Sequence, residues 1–498
     1  MRIAKDTEGH VFTGALAKED RNNLIILFSC SLLLRLYVFS QLYLISIDGA
    51  FQYIPMAKLF FQGDYVHALT QPQLPLYPFL IGIFSHITGD FELAGQLISI
   101  IFSLLAVLPL YLIGKSLFGP GAGFWAAALY IIHPLMLQCS VDVLKEGLLI
   151  FAFFSSVYYS LRFLQEGKGI WLFWTVAFAV VGALARILIL EILMVLGLWL
   201  GYGALRGRLR ERMLAYRYLW VVVPILGGVL FFVIAGIWEW DLLTTKKMYG
   251  LLHNFFVQGF GDQRPYLSQI GAGTLYILGR FVEKAYPVPF LLALFGLGWR
   301  IKVRGFDPEE RYLILLMAIL IISFFPNLYA SARYLLPAIF LLYLWAGFGF
   351  AKIWELLARR FPRHPLLNAM IPIVALLITS IPFSLQPQRL DKIGRKEVGL
   401  WLREQSASSP VIITNIPRVA YYAEGKYESI PPGMPTEKIV QRAKWKKADY
   451  LIIEEKGSSI AKSLSPFEQK GDLKLVYRHL YGKRARTIYA YRLRGKSK

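Results

Sequence analysis

A chain of 498 residues with 56% hydrophobic and 17% charged residues is no soluble globular protein, in which about 25% would be charged. Its net charge of +22 does not indicate nucleic-acid binding, because much of the basic charge falls in short loops between apolar runs, where the orientation bias of membrane proteins accounts for it. Both cysteines, Cys30 and Cys139, lie inside apolar runs, which argues against a disulfide framework or a cysteine-rich metal site.

Apolar runs of roughly 18 or more residues recur along most of the chain, long enough to span about 30 Å of hydrocarbon. The mean hydropathy is +0.49. The pattern predicts a polytopic α-helical membrane protein with about 11 transmembrane helices. The polar residues before Leu24 are expected in the cytoplasm, and no small-residue cleavage site follows the first apolar run, so Leu24 to Ser46 reads as a retained first span. That span delivers Asp48 to the opposite face, where Ile47-Asp48-Gly49-Ala50-Phe51-Gln52-Tyr53-Ile54-Pro55-Met56-Ala57-Lys58 begins an amphipathic stretch. A proline-rich loop, Thr70 to Pro78, then precedes an apolar run from Phe79 to Thr88 that is too short to cross, and an interfacial helix on the outer face is expected there. Further spans are expected at 93–117, 122–140, 147–164, 170–184, 188–205, 218–238, 287–299, 312–325, 334–357 and 366–384, with a long polar loop at 241–285.

An odd number of spans puts the basic clusters Arg206 to Arg217, Arg300 to Arg311 and Arg359 to Arg363 all on the cytoplasmic side, as the positive-inside bias requires. The N-terminus is then cytoplasmic and the C-terminus extracytoplasmic. Composition changes near Gln388. Val411 to Asn415, Tyr450 to Glu454, Lys474 to Tyr481 and Arg486 to Leu493 read as strands, with helical stretches at Ile393 to Glu404 and Thr436 to Lys446. The expected organisation is a transmembrane domain over 1–387 and a small soluble α/β domain over 388–498 on the outer face.

In this topology Asp48, Asp142 and Glu146 lie on one side of the membrane. Ionisable groups there are costly and raise a functional hypothesis. If a helix begins near Asp142, that acid and Glu146 share one face at i, i+4 spacing, with Lys145 beside them. The bland reading is solvated or paired interfacial carboxylates. Arg186 and Arg333 sit at outer ends of spans, where guanidiniums suit bidentate phosphate binding, and snorkelling to headgroups is the bland alternative. Arg35 lies within the first span and is expected to pair inside the bundle. The histidines show no ligand spacing, and His133 reads as a packing residue. No metal ligands are assigned, and a divalent metal assembled from distant positions stays open.

These residues, in this order, resemble the GT-C class of integral-membrane glycosyltransferases, in particular the bacterial branch related to protein O-mannosyltransferases and lipid A aminoarabinose transferases. Asp48-Gly49-Ala50-Phe51-Gln52-Tyr53, with Ala57 and Gly63, looks like the family's first outer-loop motif, and Pro72-Gln73-Leu74-Pro75-Leu76-Tyr77-Pro78 like its substrate loop. Glu146 and Arg186 match an acid after the third span and an arginine after the fifth. Arg333-Tyr334-Leu335-Leu336-Pro337 resembles the Arg-Tyr-x-x-Pro signature, and Trp401 to Glu404 with Val411 and Arg418 to Tyr422 resembles the extracytoplasmic domain. One departure is that many members carry Asp-Glu where this chain has Asp48-Gly49.

The resemblance implies an inverting glycosyltransferase in the cytoplasmic (inner) membrane. It would move a monosaccharide from a polyprenyl-phosphate-linked donor to a hydroxyl on a lipid, glycan or protein acceptor. Asp48 would be the catalytic base. Tyr53, Lys58, Gln73, Tyr77, Asp142, Glu146, Arg186, Arg333 and Tyr334 would bind substrate. Membrane lipids are the other expected partners, and nucleic acid is not one. The competing readings are a polytopic lipid or sugar transporter or flippase, and a non-catalytic component of an envelope polysaccharide pathway. Against the transporter, the sequence has no visible repeat and its acids cluster at one face.

Overall fold

The computed structural model describes residues 18–205, 266–323, 331–362 and 385–493, apart from a few short gaps and with isolated positions between 370 and 382. The spans expected at 218–238 and 366–384, and most of the 241–285 loop, lie outside the described residues. Contacts within the chain divide it into two units. One comprises Met1–Leu36, Ile100–Leu137 and Glu146–Ser384, and the other Tyr37–Ser99, Gln138–Lys145 and Leu385–Lys498.

The chain is helical through most of its length, and its apolar helices are those of a polytopic membrane protein. Among the described residues four helices are long and apolar enough to cross a bilayer: Lys18–Ser40, Phe91–Phe118, Glu146–Glu166 and Ala332–Arg360. Two bent pairs raise this to six: Pro120–Ile132 with Pro134–Val141, and Leu275–Ala285 with Pro287–Val303. Shorter apolar helices occupy Leu76–Thr88, Gly169–Ala183 and Glu191–Gly203. The 63° bend after Ile132 has a local cause. His133 is held extended at ψ 117 because the next residue is Pro134, which disfavours the helical region for its predecessor and has no N–H to continue the ladder.

The first unit is held by one large apolar core that includes Leu110, Tyr130, Phe153, Leu196, Leu313 and Phe340. Its helices approach closely through small residues. A Cβ on Gly296 would lie 2.2 Å from the Trp345 carbonyl, and one on Gly349 would lie 2.2 Å from the Leu292 carbonyl. Arg35 is fully buried, donating from Nε to Ser103 Oγ at 2.7 Å and from Nη1 to Ser31, with its guanidinium 5.6 Å from the Tyr130 ring centre. Its role is pairing within the bundle.

The second unit contains a five-stranded sheet with strand order β2-β1-β3-β5-β4, where β1 is Val411–Thr414, β2 Lys426–Ser429, β3 Tyr450–Lys456, β4 Leu473–Tyr481 and β5 Arg486–Leu493. Strand β1 pairs in parallel with β2 and β3, and β5 pairs antiparallel with β3 and β4. Apolar clusters cover both faces of the sheet. One gathers Val398, Leu402, Val419, Ile452 and Ile488, the other Ile413, Val440, Leu451, Leu464 and Tyr491. The same unit holds the short helices Ile54–Phe61, Tyr65–Thr70 and Leu76–Thr88. The last has 13 residues, about 20 Å of rise, well below a bilayer crossing.

Candidate active site

The first span stops earlier than its apolar run. The helix ends at Ser40, and Leu42 forms a parallel bridge with Gln388, whose N–H donates to the Gln41 carbonyl at 3.1 Å. Backbone pairing therefore replaces the last turns of the expected helix. Asp48 stands at the head of a five-residue π-helical turn, Gly49–Tyr53, and is half-buried.

The segment leading to Asp48 is stitched down on several sides. Ser46 N–H donates to Asp142 Oδ1 at 2.9 Å, and Ser46 Oγ donates to the Val143 carbonyl at 3.1 Å while accepting the Gly49 N–H at 3.0 Å. Arg389 donates to the Leu44 carbonyl and to Asp142 Oδ2, both at 2.6 Å. Arg418 donates to the Ile45 carbonyl at 2.9 Å, and the Ile45 N–H donates to the Tyr422 hydroxyl at 3.3 Å. Burial first, then Arg389 and Arg395, lower the Arg418 pKa to about 10, so it stays charged at neutral pH. Arg389 adopts the left-handed region at φ 58, uncommon for a side chain of this size, and its two hydrogen bonds hold it there.

Gly49 has a steric reason. A Cβ there would lie 2.8 Å from Val143 Cβ and 3.0 Å from the Val143 carbonyl. A carboxylate side chain at this place has no room in this chain.

Asp142 does not share a helix with Glu146. The helix begins at Glu146, and Asp142 precedes it in a turn, fully buried, its oxygens taken by Ser46, Val143 and Arg389. The carboxylate expected to meet substrate instead holds the chain. Tyr77 is likewise completely buried, donating to the Gly95 carbonyl at 3.0 Å and sharing a bond with Ser99 Oγ at 2.7 Å. Tyr53 packs edge-on against the Tyr77 ring at 5.2 Å, with Lys145 Nζ 5.8 Å from its own ring. Gln73 is half-exposed in the loop before Leu76–Thr88, and Lys58 is exposed.

A cavity of about 740 Å³ opens beside the Asp48 turn. Ala50, Phe51, Ile54 and Lys58 line one side, Asp90 and Glu92 another, and Tyr421, Tyr422, Glu424 and Tyr427 a third. Phe51, Glu92, Tyr427, Arg389 and Arg418 carried no signal as site residues in the sequence, because their meaning comes from partners hundreds of positions away.

The first unit holds a second charged group. Glu146 Oε1 meets Arg186 Nη2 and Arg333 Nε, each at 3.2 Å, and Glu146 is buried. Glu146 Oε2 has no hydrogen-bond partner among the described residues. The Arg186 guanidinium lies 4.0 Å from the centre of the Tyr334 ring, and that of Arg333 lies 6.0 Å from it. Arg186 follows the helix Gly169–Ala183, and Arg333 sits in the 3₁₀ turn Ala332–Leu335 just before Pro337. Two guanidiniums meet at this one carboxylate, and guanidinium groups of this kind suit a phosphate. No group of three or more His, Cys, Asp or Glu that could hold a metal ion occurs among the described residues.

The sequence model of the dolichyl-phosphate-mannose-protein mannosyltransferase family matches residues 70–238. No curated protein is significantly similar in sequence. Among solved structures, ArnT from Cupriavidus metallidurans in the apo state is similar with a TM-score of 0.61 and 12% identity, over 94% of this chain and 98% of that one. The same protein bound to undecaprenyl phosphate is similar with a TM-score of 0.60, 12% identity and coverage of 94% and 97%. The oligosaccharyltransferase of Archaeoglobus fulgidus, in complex with Zn and sulfate, gives 0.55 at 15% identity, over 95% of this chain and 73% of that one. The mycobacterial arabinofuranosyltransferase AftD gives 0.51 at 14% identity, over 97% of this chain and 40% of that one. The family model covers about a third of the chain, and the solved structures, at 12–15% identity, share its fold.

Proposed function

We propose that the chain is an inverting glycosyltransferase that moves a monosaccharide from a polyprenyl-phosphate donor to an acceptor hydroxyl. The work takes place at the outer face of the cytoplasmic membrane. Residues 1–387 form the membrane domain, and 388–498 an extracytoplasmic α/β domain. The basic clusters between spans support this orientation. Nucleotide sugars are cytoplasmic, so a transferase working outside needs a lipid carrier, and an ArnT neighbour is solved with such a lipid phosphate.

The observation that carries the reading is the clamped Asp48 turn beside an open cavity. Asp48 takes the acceptor O–H proton as the oxygen attacks the anomeric carbon. The bond from that carbon to the phosphate oxygen breaks on the opposite face, and its electron pair leaves with the polyprenyl phosphate. Configuration inverts. The leaving phosphate needs no proton if cations hold it; within their own unit, Arg186 and Arg333 on Glu146 are proposed as a phosphate-binding group. Tyr334 orients their guanidiniums, and Lys58 and Gln73 contact donor or acceptor. Asp142, Tyr53 and Tyr77 act by holding the site's frame.

General-base help is worth about 10²–10⁴-fold. In vesicles supplied with a labelled lipid-linked sugar, Asp48→Asn is expected to lower transfer by about that factor while thermal unfolding and membrane insertion stay as in the wild type. Near-normal transfer by this variant would sink the mechanism.

A further inference from the structure

We infer that the cavity beside the Asp48 turn receives an uncharged saccharide ring, which makes the acceptor a glycan or the sugar head of a glycolipid. The inference rests on the transferase reading above and names its acceptor class.

Three aromatic residues of the wall remain partly exposed: Phe51, Tyr421 and Tyr427. Their rings meet at steep angles, Phe51 and Tyr427 at 58° with centres 5.2 Å apart, and Phe51 and Tyr421 at 62° with centres 6.5 Å apart. They do not stack face to face on one another. A sugar ring has an apolar C–H face and a polar rim. The electron-rich face of an aromatic ring attracts polarised C–H groups, and a polar rim needs donors and acceptors around it.

The charged lining supplies those without favouring an ion. Arg403 pairs with Glu424 at 3.3 Å. Asp90 Oδ1 caps the helix Phe91–Leu105, accepting the Glu92 and Leu93 N–H groups at 2.6 and 3.2 Å. Glu92 interacts with Tyr422 and Lys396. Lys58 Nζ lies 5.7 Å from the Phe91 ring centre. With Lys396 beside Glu92, the three carboxylates of the lining are matched by three cations, so no surplus positive charge selects a phosphate-bearing or acidic ligand. The carboxylates equally exclude a lipid tail. The volume falls within the range of about 300–1,000 Å³ typical of small-ligand sites.

The test uses the purified full-length protein in lipid nanodiscs. It is presented with an array of neutral oligosaccharides, an array of Ser/Thr-containing peptides, and phosphorylated sugars. Retention on neutral saccharides is expected. Tyr427→Ala should weaken it about tenfold, the loss of one aromatic face, with Tyr427→Phe restoring it and both variants unfolding at the wild-type temperature. Glu92→Gln should weaken it as well. Retention on none of the saccharides, preference for peptides or phosphorylated sugars, or wild-type binding by Tyr427→Ala each overturns the inference. Sugar transfer in vesicles is measured in parallel and separates the two readings. Saccharide retention without transfer keeps the cavity as a saccharide site but overturns the transferase and with it the acceptor role, and transfer to a peptide without saccharide retention keeps the transferase and overturns the saccharide site.

Discussion

Asp142 is the residue whose meaning changed most. From sequence it was one of several boundary acids. In the fold it is a buried anion that ties Ser46, Val143 and Arg389 together. Nothing in the chain announces Arg389 as its partner, because 247 positions separate them. Breaking a buried pair by removing one member leaves an uncompensated charge, at about 3–5 kcal/mol in full burial. Arg389 is a quarter exposed, so Arg389→Ala is expected at or below the lower end of that range, read by thermal unfolding. The double variant with Asp142→Asn should be markedly less destabilised than the sum of the two singles, and additive losses would refute the coupling. Gly49→Ala pushes a methyl into Val143 and should cost about 1–3 kcal/mol and reduce transfer. An alanine variant as stable as the wild type would show that Val143 gives way.

Helices were the legible part of the chain, because long apolar runs are readable without knowing their neighbours. Their ends were less so. The first helix stops at Ser40 since residues 41 and 42 pair with Gln388, a partner invisible to hydropathy. Strand β2 was missed because Lys426-Tyr427-Glu428-Ser429 is short and polar, and it is a strand only because it pairs with β1 at the sheet edge. Elsewhere one residue joins three helices. Glu310, buried in Pro308–Ile322, accepts from Arg300 Nε at 3.0 Å, from Trp345 Nε1 at 3.2 Å and from the Asp307 N–H at 3.0 Å. Glu310→Ala leaves the Arg300 guanidinium only Asp307 and strands an indole N–H, and should cost about 1–3 kcal/mol, measured as a lower unfolding temperature in detergent. Glu310→Gln keeps an acceptor and should lose less. Equal losses in the two variants would mean that packing, rather than this network, is what Glu310 provides.

At the scale of the whole chain, the tail is more than an appended sheet. Arg389, Arg418 and Tyr422 all reach residues 44–45 just ahead of Asp48. A chain truncated before Gln388 is therefore expected to insert its spans and yet transfer no sugar. Near-wild-type transfer by the truncated chain, assayed in vesicles, would show that the tail serves something other than the Asp48 turn. This dependence was not legible from sequence, where the composition change near Gln388 suggested a separable module.

The link from Arg418 to the Ile45 carbonyl also sets an order in time. The two residues lie 373 positions apart. At about 5–20 residues per second of synthesis, the nascent chain carries its Asp48 loop for some 20–75 s before Arg418 is made. Through the later part of that interval the growing polypeptide holds the Asp142 and Val143 contacts to Ser46 but lacks those of Arg389, Arg418 and Tyr422. Newly made protein would thus stay idle until Arg418 and Tyr422 have been made, and chains left in the membrane by ribosomes stalled before them would consume no lipid-linked sugar.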